Sequence, residues 1–346
     1  MARKQIIVGG IPMGGGAPGT VQSMTNTKTG DIAETVAQIT RLRETGCDIV
    51  RVAVPDSAAA CAVEAIKNQT DIPIVADIHF DYRLAIEAAE AGADKIRINP
   101  GNIGGSDKVR AVTEACRRHS IPIRIGVNSG SLEKDILSRF GSVTPDALAE
   151  SAMRHVRLLN TFDFDDICLS VKTSDVRLTI EAYRLLYQIT DYPLHLGVTE
   201  AGTEYMGIVK SSVGIGALLS EGIGDTIRVS LTAPPEREVR AGVAILKALG
   251  LKKSGVDLIS CPTCGRTKID LIPIAAEVER RLEKIDRPIT VAVMGCAVNG
   301  PGEAARADYG IAGGDSQGVL FKKGKIVGKV PMDRLVDALL DLIDET

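Results

Sequence analysis

Short apolar runs rich in β-branched residues alternate along the chain with longer stretches whose apolar positions recur at helical spacing. Eight runs of this kind lie in the first 232 residues, at 21–25, 48–54, 73–78, 95–99, 122–127, 166–171, 193–198 and 226–231. Amphipathic stretches lie between them, for example 31–46, 81–92, 146–160 and 174–190. Eight strand–helix repeats are typical of a (β/α)8 TIM barrel of the α/β class, and an open doubly wound sheet is the alternative.

The segments outside this repeat predict a hairpin and a second domain. Residues 6–16 precede the first repeat, and we expect them to close the bottom of the barrel as a small hairpin. After a last helix at 235–250, the polar residues 252–255 mark a boundary. We therefore expect a barrel domain at 1–250 and a small α+β domain at 256–346. The strands predicted in the second domain are 256–260, 289–294 and 318–330, and its helices are 268–285 and 332–345.

Charged and polar residues interrupt the predicted strands, although barrel strands are buried on both faces and are usually apolar. Three pairs stand two positions apart and so point to the same side of their strand: Asp77 with His79, Arg97 with Asn99, and Arg228 with Ser230. TIM barrels keep their functional groups at the carboxyl ends of the strands. Further polar residues lie in the second half of a predicted strand or just past it: Arg51, Arg124, Asn128, Lys172, Thr199 and Glu200.

This set carries more positive than negative charge. Its five basic residues face only two acidic ones, so an excess of buried positive charge would remain without a bound anion. A single arginine of the set would fit a structural ion pair, but the whole set would not. Guanidinium groups that converge from several strands suit a diphosphate. The chain has no G-x-x-x-x-G-K-[ST] sequence, which argues against a nucleoside triphosphate held by a P-loop.

Two further side chains are candidates for proton transfer. Glu200 follows an apolar strand at the start of a loop that faces the predicted anion site, so it is placed to donate a proton. A carboxylate at a helix N-terminus is the structural alternative for Glu200. His79 could donate a proton, contact the ligand, or be a satisfied core residue.

Three cysteines lie in glycine- and proline-rich turns near the end of the chain, in CPTCGR at 261–266 and MGCAVNGPGE at 294–303. Cys261, Cys264 and Cys296 suit a metal or iron–sulfur site, and Glu303 is the nearest oxygen ligand. A closed zinc site would need a fourth Cys or His, and no histidine occurs in the last 150 residues. Zinc and plain buried thiols remain alternatives. The other four cysteines lie in apolar patterns typical of core positions: Cys47, Cys61, Cys116 and Cys168.

Composition narrows the class of protein. The 346 residues include 41 basic and 44 acidic side chains, and a net charge of −3 implies no broad basic surface for nucleic acid or anionic membrane. The apolar stretch at the start is too short for a signal peptide, and no run of about 18 apolar residues occurs. We therefore expect a cytoplasmic protein without a membrane span. Seven cysteines, four of them scattered singly, do not predict a disulfide framework.

Five long motifs occur in order along the chain: QSMTNT at 22–27, VADIHFDYR at 75–83, RINPGNIG at 97–104, HLGVTEAG at 195–202 and EGIGDTIR at 221–228. With the cysteine segments they cover about residues 22–314. These motifs resemble those of the 4-hydroxy-3-methylbut-2-enyl diphosphate synthases, iron–sulfur enzymes of isoprenoid precursor biosynthesis. The chain departs from the family pattern at Thr173, where Ala is frequent, and it lacks the inserted domain of plant-type members.

The resemblance implies an oxidoreductase that opens 2-C-methyl-D-erythritol 2,4-cyclodiphosphate and expels a hydroxyl as water, giving (E)-4-hydroxy-3-methylbut-2-enyl diphosphate. It implies a flavodoxin or ferredoxin as the electron donor, with two electrons delivered through a 4Fe-4S cluster. It also implies a homodimer in which one subunit's cluster domain completes the partner's barrel site. The implied cluster ligands are Cys261, Cys264, Cys296 and Glu303.

The same resemblance assigns roles in the barrel. Thr199 and Glu200 match the position of the family's acid, and Asp77 is also counted among the predicted substrate-binding residues. The implied diphosphate cradle consists of Arg51, Arg97, Asn99, Arg124, Asn128, Lys172, Arg228 and Ser230. A second class stays open, namely a barrel that binds a diphosphate or pterin for simple group transfer, with structural zinc in the tail domain.

Overall fold

The structure, a computed structural model, describes residues 3–253, 255–296, 302 and 304–345. The chain divides into two compact units, Met1–Lys252 and Lys253–Thr346. Within the described residues, no helix is both long enough and apolar enough to cross a membrane.

The first unit begins with an antiparallel hairpin of β1 (Gln5–Val8) and β2 (Ile11–Gly14), as predicted. Eight parallel strands follow, namely β3 Thr20–Met24, β4 Ile49–Ala53, β5 Ile74–Asp77, β6 Lys95–Ile98, β7 Ile123–Asn128, β8 Ile167–Lys172, β9 His195–Leu196 and β10 Thr226–Ile227. They pair in the order β8-β7-β6-β5-β4-β3-β10-β9. A bridge between Leu169 and Leu194 joins β8 to the segment that leads into β9, so the sheet returns on itself as a barrel.

Helices alternate with these strands, which confirms the predicted (β/α)8 barrel. Side chains of Asp31, Asp56, Asp81, Thr144 and Asp175 accept hydrogen bonds from backbone N–H groups of the first turn, so local sequence sets these helix starts. The helices are α1 Ile32–Glu44, α2 Ser57–Lys67, α3 Tyr82–Glu90, α4 Pro100–Ile103, α5 Ser106–Arg118, α6 Lys134–Phe140, α7 Pro145–Asn160, α8 Val176–Ile189, α9 Glu204–Ser220 and α10 Pro235–Ala248.

Successive residues of a barrel strand point alternately outward, to the surrounding helices, and inward, to the barrel interior. Outward residues such as Val50 and Val52 belong to the main core, which the strands share with the surrounding helices. The inward Ile49 at the start of β4 instead packs with Ile6 and Met13 of the hairpin. The β1–β2 hairpin therefore closes the amino-terminal end of the barrel, as predicted. The inward positions above this plug are free for polar side chains.

The second unit is an α+β fold around one mixed sheet. Its strands pair in the order β11-β12-β13-β14-β15, parallel from β11 to β13 and antiparallel from β13 to β15. The predicted single strand at 318–330 is a hairpin, and the strand at 309–312 was missed. Gly310 lets this sheet pack closely, because a Cβ there would lie 2.2 Å from the Phe321 ring. The elements are β11 Asp257–Ser260, α11 Leu271–Leu282, β12 Thr290–Met294, β13 Tyr309–Ala312, β14 Gln317–Lys322, β15 Lys325–Pro331 and α12 Leu335–Asp344.

The cysteines outside the turns are mostly core residues, with one exception. Cys47, Cys116 and Cys168 are buried, but Cys61 on α2 is exposed, so its prediction as a core residue was wrong. The neighbours Ala60 and Ala62 are buried, and Cys61 lies on the opposite face of the same helical turn. A run of small apolar residues did not indicate which face was outward.

Candidate active site

The predicted basic residues meet inside the barrel. Arg51, Arg97, Arg124 and Lys172 come from four strands and are all buried, and Arg228 directly follows β10 with its side chain 17% exposed. Arg124 was expected in the second half of its strand but is the second residue of β7. It reaches the site because the strand register pairs it with Arg97, as the stagger of a barrel allows.

Asp77 is the acceptor around which these cations are arranged. Its Oδ1 accepts a hydrogen bond from Arg97 Nη1 at 2.9 Å, and its Oδ2 lies 3.7 Å from Arg51 Nε and 3.5 Å from His79 Nε2. Burial alone would raise the pKa of Asp77. The charge of Arg51, the hydrogen bond from His79 and the charge of Arg97 instead hold this pKa well below its usual value, so Asp77 is a carboxylate.

One carboxylate does not balance this cluster. Burial, followed by the charges of neighbouring arginines, lowers the pKa of Arg51 and of Lys172 well below their usual values. The same causes lower the pKa of Arg124 to about 10. Each cation therefore opposes protonation of the others, and a bound anion would offset the electrostatic repulsion between these positive charges.

Several of the cationic groups still have unused donors. Within the described residues, Arg97 Nε, Arg228 Nε, and both Nε and Nη2 of Arg124 are buried without a hydrogen-bond partner. Buried N–H groups without a partner are rare and costly in folded proteins, so a ligand or ordered water is expected to accept from them. Their number and their charge favour an anion with several oxygens.

Two glycines make room for the long basic side chains. A Cβ at Gly126 would lie 2.5 Å from Arg97 Nε, and a Cβ at Gly197 would lie 2.6 Å from Lys172 Nζ. Any larger residue would therefore displace a cation from the site. The sequence analysis did not predict this role for either glycine.

The remaining predicted residues lie at the carboxyl ends of the strands. Asn99 directly follows β6 and its Oδ1 caps α4 by accepting from Gly101 N at 3.1 Å. Asn128 is the last residue of β7, and Ser230 follows β10 half-buried. Beyond β9, the backbone N–H of Thr199 donates to Thr173 O, and the next residue, Glu200, is exposed.

The backbone of Glu200 has an unusual conformation. Its φ is +50°, in the left-handed region that non-glycine residues seldom adopt. Such strain persists only where the surrounding structure imposes it, and it is concentrated at functional sites. The loop after β9 therefore imposes this backbone conformation on Glu200.

Two buried polar residues close to the cations, Glu238 and Lys95, escaped the sequence analysis. Glu238 on α10 is buried and contacts Arg228 Nη2 at 3.4 Å, so it partly balances that arginine. Lys95 and His195 are fully buried, and Lys95 Nζ and both ring nitrogens of His195 lack partners within the described residues. Lys95 could have been found, because it stands two positions before Arg97 and so shares its strand face.

The second unit brings together the two predicted cysteine segments. Gly295 N donates to Cys261 Sγ at 3.1 Å, and Lys268 N donates to Gly295 O at 2.8 Å. Hydrogen bonds from the backbone and side chain of Arg266, followed by one from Thr267, lower the pKa of Cys264. Donors directed at sulfur are what a thiolate ligand requires, so the chemistry of this set fits an iron–sulfur or metal group.

The ligand set itself is incomplete in the part of the chain that the structure describes. Among those residues, no group of three or more His, Cys, Asp or Glu side chains is arranged to hold a metal ion. Glu303, the predicted fourth ligand, lies outside the described residues. The assignment of Cys261, Cys264, Cys296 and Glu303 as ligands stays a prediction.

Comparisons with known proteins cover both units. Residues 3–243 match the family model described as the GcpE TIM-barrel domain, and residues 257–345 match the GcpE protein C-terminal domain. A 4-hydroxy-3-methylbut-2-en-1-yl diphosphate synthase (flavodoxin) from Caldanaerobacter subterraneus is 60% identical over 99% of this chain and 96% of its own length. The enzymes of the same name from Clostridium perfringens and Geobacter sulfurreducens are 58% and 57% identical, each over 99% of this chain and 98% and 97% of their lengths.

Two solved structures resemble this chain over part of its length. A dihydropteroate synthase from Xanthomonas albilineans covers 71% of this chain and 98% of its own, with a TM-score of 0.51 and 14% identity. A type I 3-dehydroquinate dehydratase from Clostridium difficile covers 72% of this chain and 98% of its own, with a TM-score of 0.53 and 14% identity. At this identity the likeness shows a shared barrel fold and nothing about function.

Proposed function

The chain belongs to the GcpE family, and on that premise we propose that it is an iron–sulfur oxidoreductase that makes (E)-4-hydroxy-3-methylbut-2-enyl diphosphate. Its substrate is 2-C-methyl-D-erythritol 2,4-cyclodiphosphate. Two electrons open the ring at a carbon–oxygen bond, and one hydroxyl group leaves as water. The observation that carries this proposal is the full-length similarity to enzymes of that name, since it spans both the barrel and the cysteine-bearing unit.

The barrel holds the diphosphate in this proposal. Open N–H donors of Arg97, Arg124 and Arg228 would donate to phosphate oxygens, and Lys172 would add a fourth positive charge. Asp77 would keep Arg51 and Arg97 in position through the contacts described above. A diphosphate suits this set because its charge is spread over several oxygens that different strands can reach. The polar residues that complete the cradle are Asn99, Asn128, Thr199 and Ser230.

Glu200 donates the proton that turns the departing hydroxyl into water. Its carboxyl is exposed beyond β9, at the end of the barrel where the cations converge. The strained left-handed backbone at this residue supports a functional role, because such strain is concentrated at functional sites. Positioned proton donors of this type typically contribute a factor of about 10² to 10⁴ in rate.

Cys261, Cys264 and Cys296, with Glu303, hold a 4Fe-4S cluster in the second unit. When bound, this group supplies the two electrons one at a time. The three cysteines would supply thiolate ligands, and the hydrogen bonds from Arg266 and Thr267 that lower the pKa of Cys264 favour the ionised form of that thiol. Flavodoxin, which the names of the relatives include, or a ferredoxin would reduce the group.

The complete site is shared between two subunits of a homodimer. The barrel unit ends on the amino-terminal face, because Lys252 Nζ lies 3.3 Å from the carboxylate of Asp48, which precedes β4. The anion site is at the opposite end of the strands. We adopt the arrangement that the family resemblance implies, in which the second unit of a partner subunit completes the site.

Anaerobic protein, reconstituted with iron and sulfide and supplied with reduced flavodoxin, should convert the cyclic diphosphate to the linear product, as measured by ³¹P NMR. Cys261→Ser, Cys264→Ser and Cys296→Ser should each lose the cluster and the activity, because serine is a poor ligand for iron. Cys61→Ser is the matched control, since this exposed cysteine lies on a barrel helix. Wild-type iron and sulfide content in any of the three variants would remove that residue from the ligand set.

A further inference from the structure

The loops after β6 and β7 are tied together by one hydroxyl group. Ser131 ends a short 3₁₀ helix, Ser129–Ser131, that follows β7. Its Oγ accepts a hydrogen bond from Asn99 Nδ2 at 3.1 Å and from Asn128 N at 3.3 Å. It donates to Asn128 O at 3.0 Å. Ser131 therefore touches both asparagines that the proposed function places in the diphosphate cradle.

These bonds use the full capacity of the hydroxyl. A serine hydroxyl has one proton and two lone pairs. The proton goes to Asn128 O, so Ser131 can only accept from Asn99. The amide of Asn99 must then turn its nitrogen, and not its oxygen, towards Ser131.

The hydrogen bond to the oxygen of the Asn99 amide is consistent with this orientation. Its Oδ1 accepts from the backbone N–H of Gly101 at 3.1 Å, which requires an oxygen at that place. Asn99 is buried, and its Nδ2 keeps one N–H beyond the one given to Ser131. The amide thus presents a donor to an anion, whereas the flipped amide would present its oxygen and repel the anion.

The turn that carries Ser131 is itself braced from α7. Glu133, two residues later, lies 3.0 Å from His155 Nε2 and accepts from Ser151 Oγ at 2.7 Å. His155 is buried and also packs on the loop after β6, since a Cβ at Gly101 would lie 3.5 Å from its ring. Both loops are therefore held against the same helix, which keeps Ser131 and Asn99 in register.

We propose that Ser131 is a positioning residue, which fixes the amide of Asn99 so that it donates to the diphosphate. The proposal rests on the proposed function, because it assumes that the diphosphate lies against Asn99. Ser131 makes no contact with the ligand in this account and takes no part in electron or proton transfer. Its loss should therefore weaken substrate binding and leave the chemical step intact.

Steady-state kinetics of the reconstituted holoenzyme test this role. Ser131→Ala should raise KM for the cyclic diphosphate about tenfold, while kcat and the cluster absorbance stay at wild-type values. Ser131→Thr keeps the hydroxyl, so its KM should lie within about twofold of the wild-type value. Ser131→Val has the shape of the threonine variant without the hydroxyl, so its KM should rise as in Ser131→Ala. Ser138→Ala is the control, because that exposed hydroxyl donates to Lys134 O within its own helix α6.

A double-variant comparison shows whether Ser131 acts through Asn99. If it does, Asn99→Ala with Ser131→Ala should have the KM of Asn99→Ala alone. The proposal would be overturned if the rise in KM of the double variant were the product of the rises in the two single variants. It would also be overturned if Ser131→Val had the wild-type KM. The threonine and valine variants have the same shape, so their comparison still decides the matter if Ser131→Ala folds poorly. An inactive wild-type holoenzyme would instead contradict the proposed function.

Discussion

Arg124 shows how a single residue depends on the ligand. It is almost fully buried on β7, and its Nη1 has only a long contact of 3.5 Å to Ser170 Oγ. Its other two guanidinium nitrogens have no partner within the described residues. The cost of burying this cation is therefore offset mainly when an anion is bound.

Arg124→Met should consequently weaken substrate binding strongly. Loss of one charge-assisted contact removes roughly 1.5 to 3 kcal/mol, which corresponds to a rise in KM of about 10- to 150-fold. The cluster spectrum should remain that of the wild type. Arg177→Met is a suitable control, because the Arg177 side chain is 89% exposed on α8. Unchanged kinetics in Arg124→Met would show that this arginine is structural.

The buried Lys95 predicts how the free energy of unfolding depends on pH. Burial, with a further contribution from the charges of Arg124 and Arg51, lowers its pKa to about 8 in the folded chain. The unfolded chain restores a pKa of about 10.4. Between these two values the unfolded state binds more protons than the folded state, so the free energy of unfolding rises with pH in that window.

The comparison of wild type with Lys95→Met isolates this effect. Between pH 7.5 and 9.5 the wild type should gain about 2 kcal/mol of stability relative to the variant, as measured by anaerobic urea unfolding. Lys134→Met, which changes an exposed lysine, should show the pH dependence of the wild type. A constant difference between wild type and Lys95→Met at both pH values would mean that Lys95 stays charged in the folded barrel.

The β1–β2 hairpin is an element whose role is stability and not chemistry. Met13 is fully buried against the start of the barrel strands, together with Ile49, Val75 and Cys168. Ile7, on the opposite face of the same hairpin, is 52% exposed. The anion site lies at the other end of the strands, so a cavity under the hairpin should not reach it.

Met13→Ala should therefore lower the free energy of unfolding by about 2 to 5 kcal/mol, because it leaves a cavity in a closed core. KM and kcat should change little at a temperature where the variant is folded. Ile7→Ala in the same hairpin should cost less than about 1 kcal/mol. Urea unfolding and steady-state kinetics measure both effects. Equal losses in the two variants would contradict the packing of the hairpin as a plug.

The whole molecule is proposed to work as a dimer with sites made from two chains. Cys264→Ser should remove the cluster, and Glu200→Gln should remove the proton donor, so each homodimer should be inactive. After subunit exchange, a mixed dimer pairs one intact barrel with the other chain's intact cluster domain. Activity should then rise towards about a quarter of the wild-type level, since half of the dimers are mixed and each has one complete site. Mixed dimers that form and remain inactive would show that each site belongs to one chain.

Much of the fold and part of the site follow from local patterns in the sequence. The spacing of apolar residues predicted all eight barrel strands. Residues two positions apart in a strand, or four apart in a helix, share a face of that element regardless of its neighbours in the fold. The same two-residue spacing indicated that Arg97 and Asn99 point to one side. The close spacing of Cys261 and Cys264 indicated a ligand pair for the same reason, since a turn between near neighbours depends on local residues.

Contacts between distant segments depended on how the strands are staggered, and no local pattern contained that information. Arg124 lies level with Arg97 only through the barrel register, and Glu238 reaches Arg228 from a helix. The hydroxyl of Ser131 joins residues 32 positions apart. In each case two residues far apart in sequence meet only because the folded barrel brings them together, and the residues near each of them do not specify that contact. Lys95 Nζ is buried without a hydrogen-bond partner among the described residues, and this too is a property of the closed barrel, because it depends on the side chains of every surrounding strand.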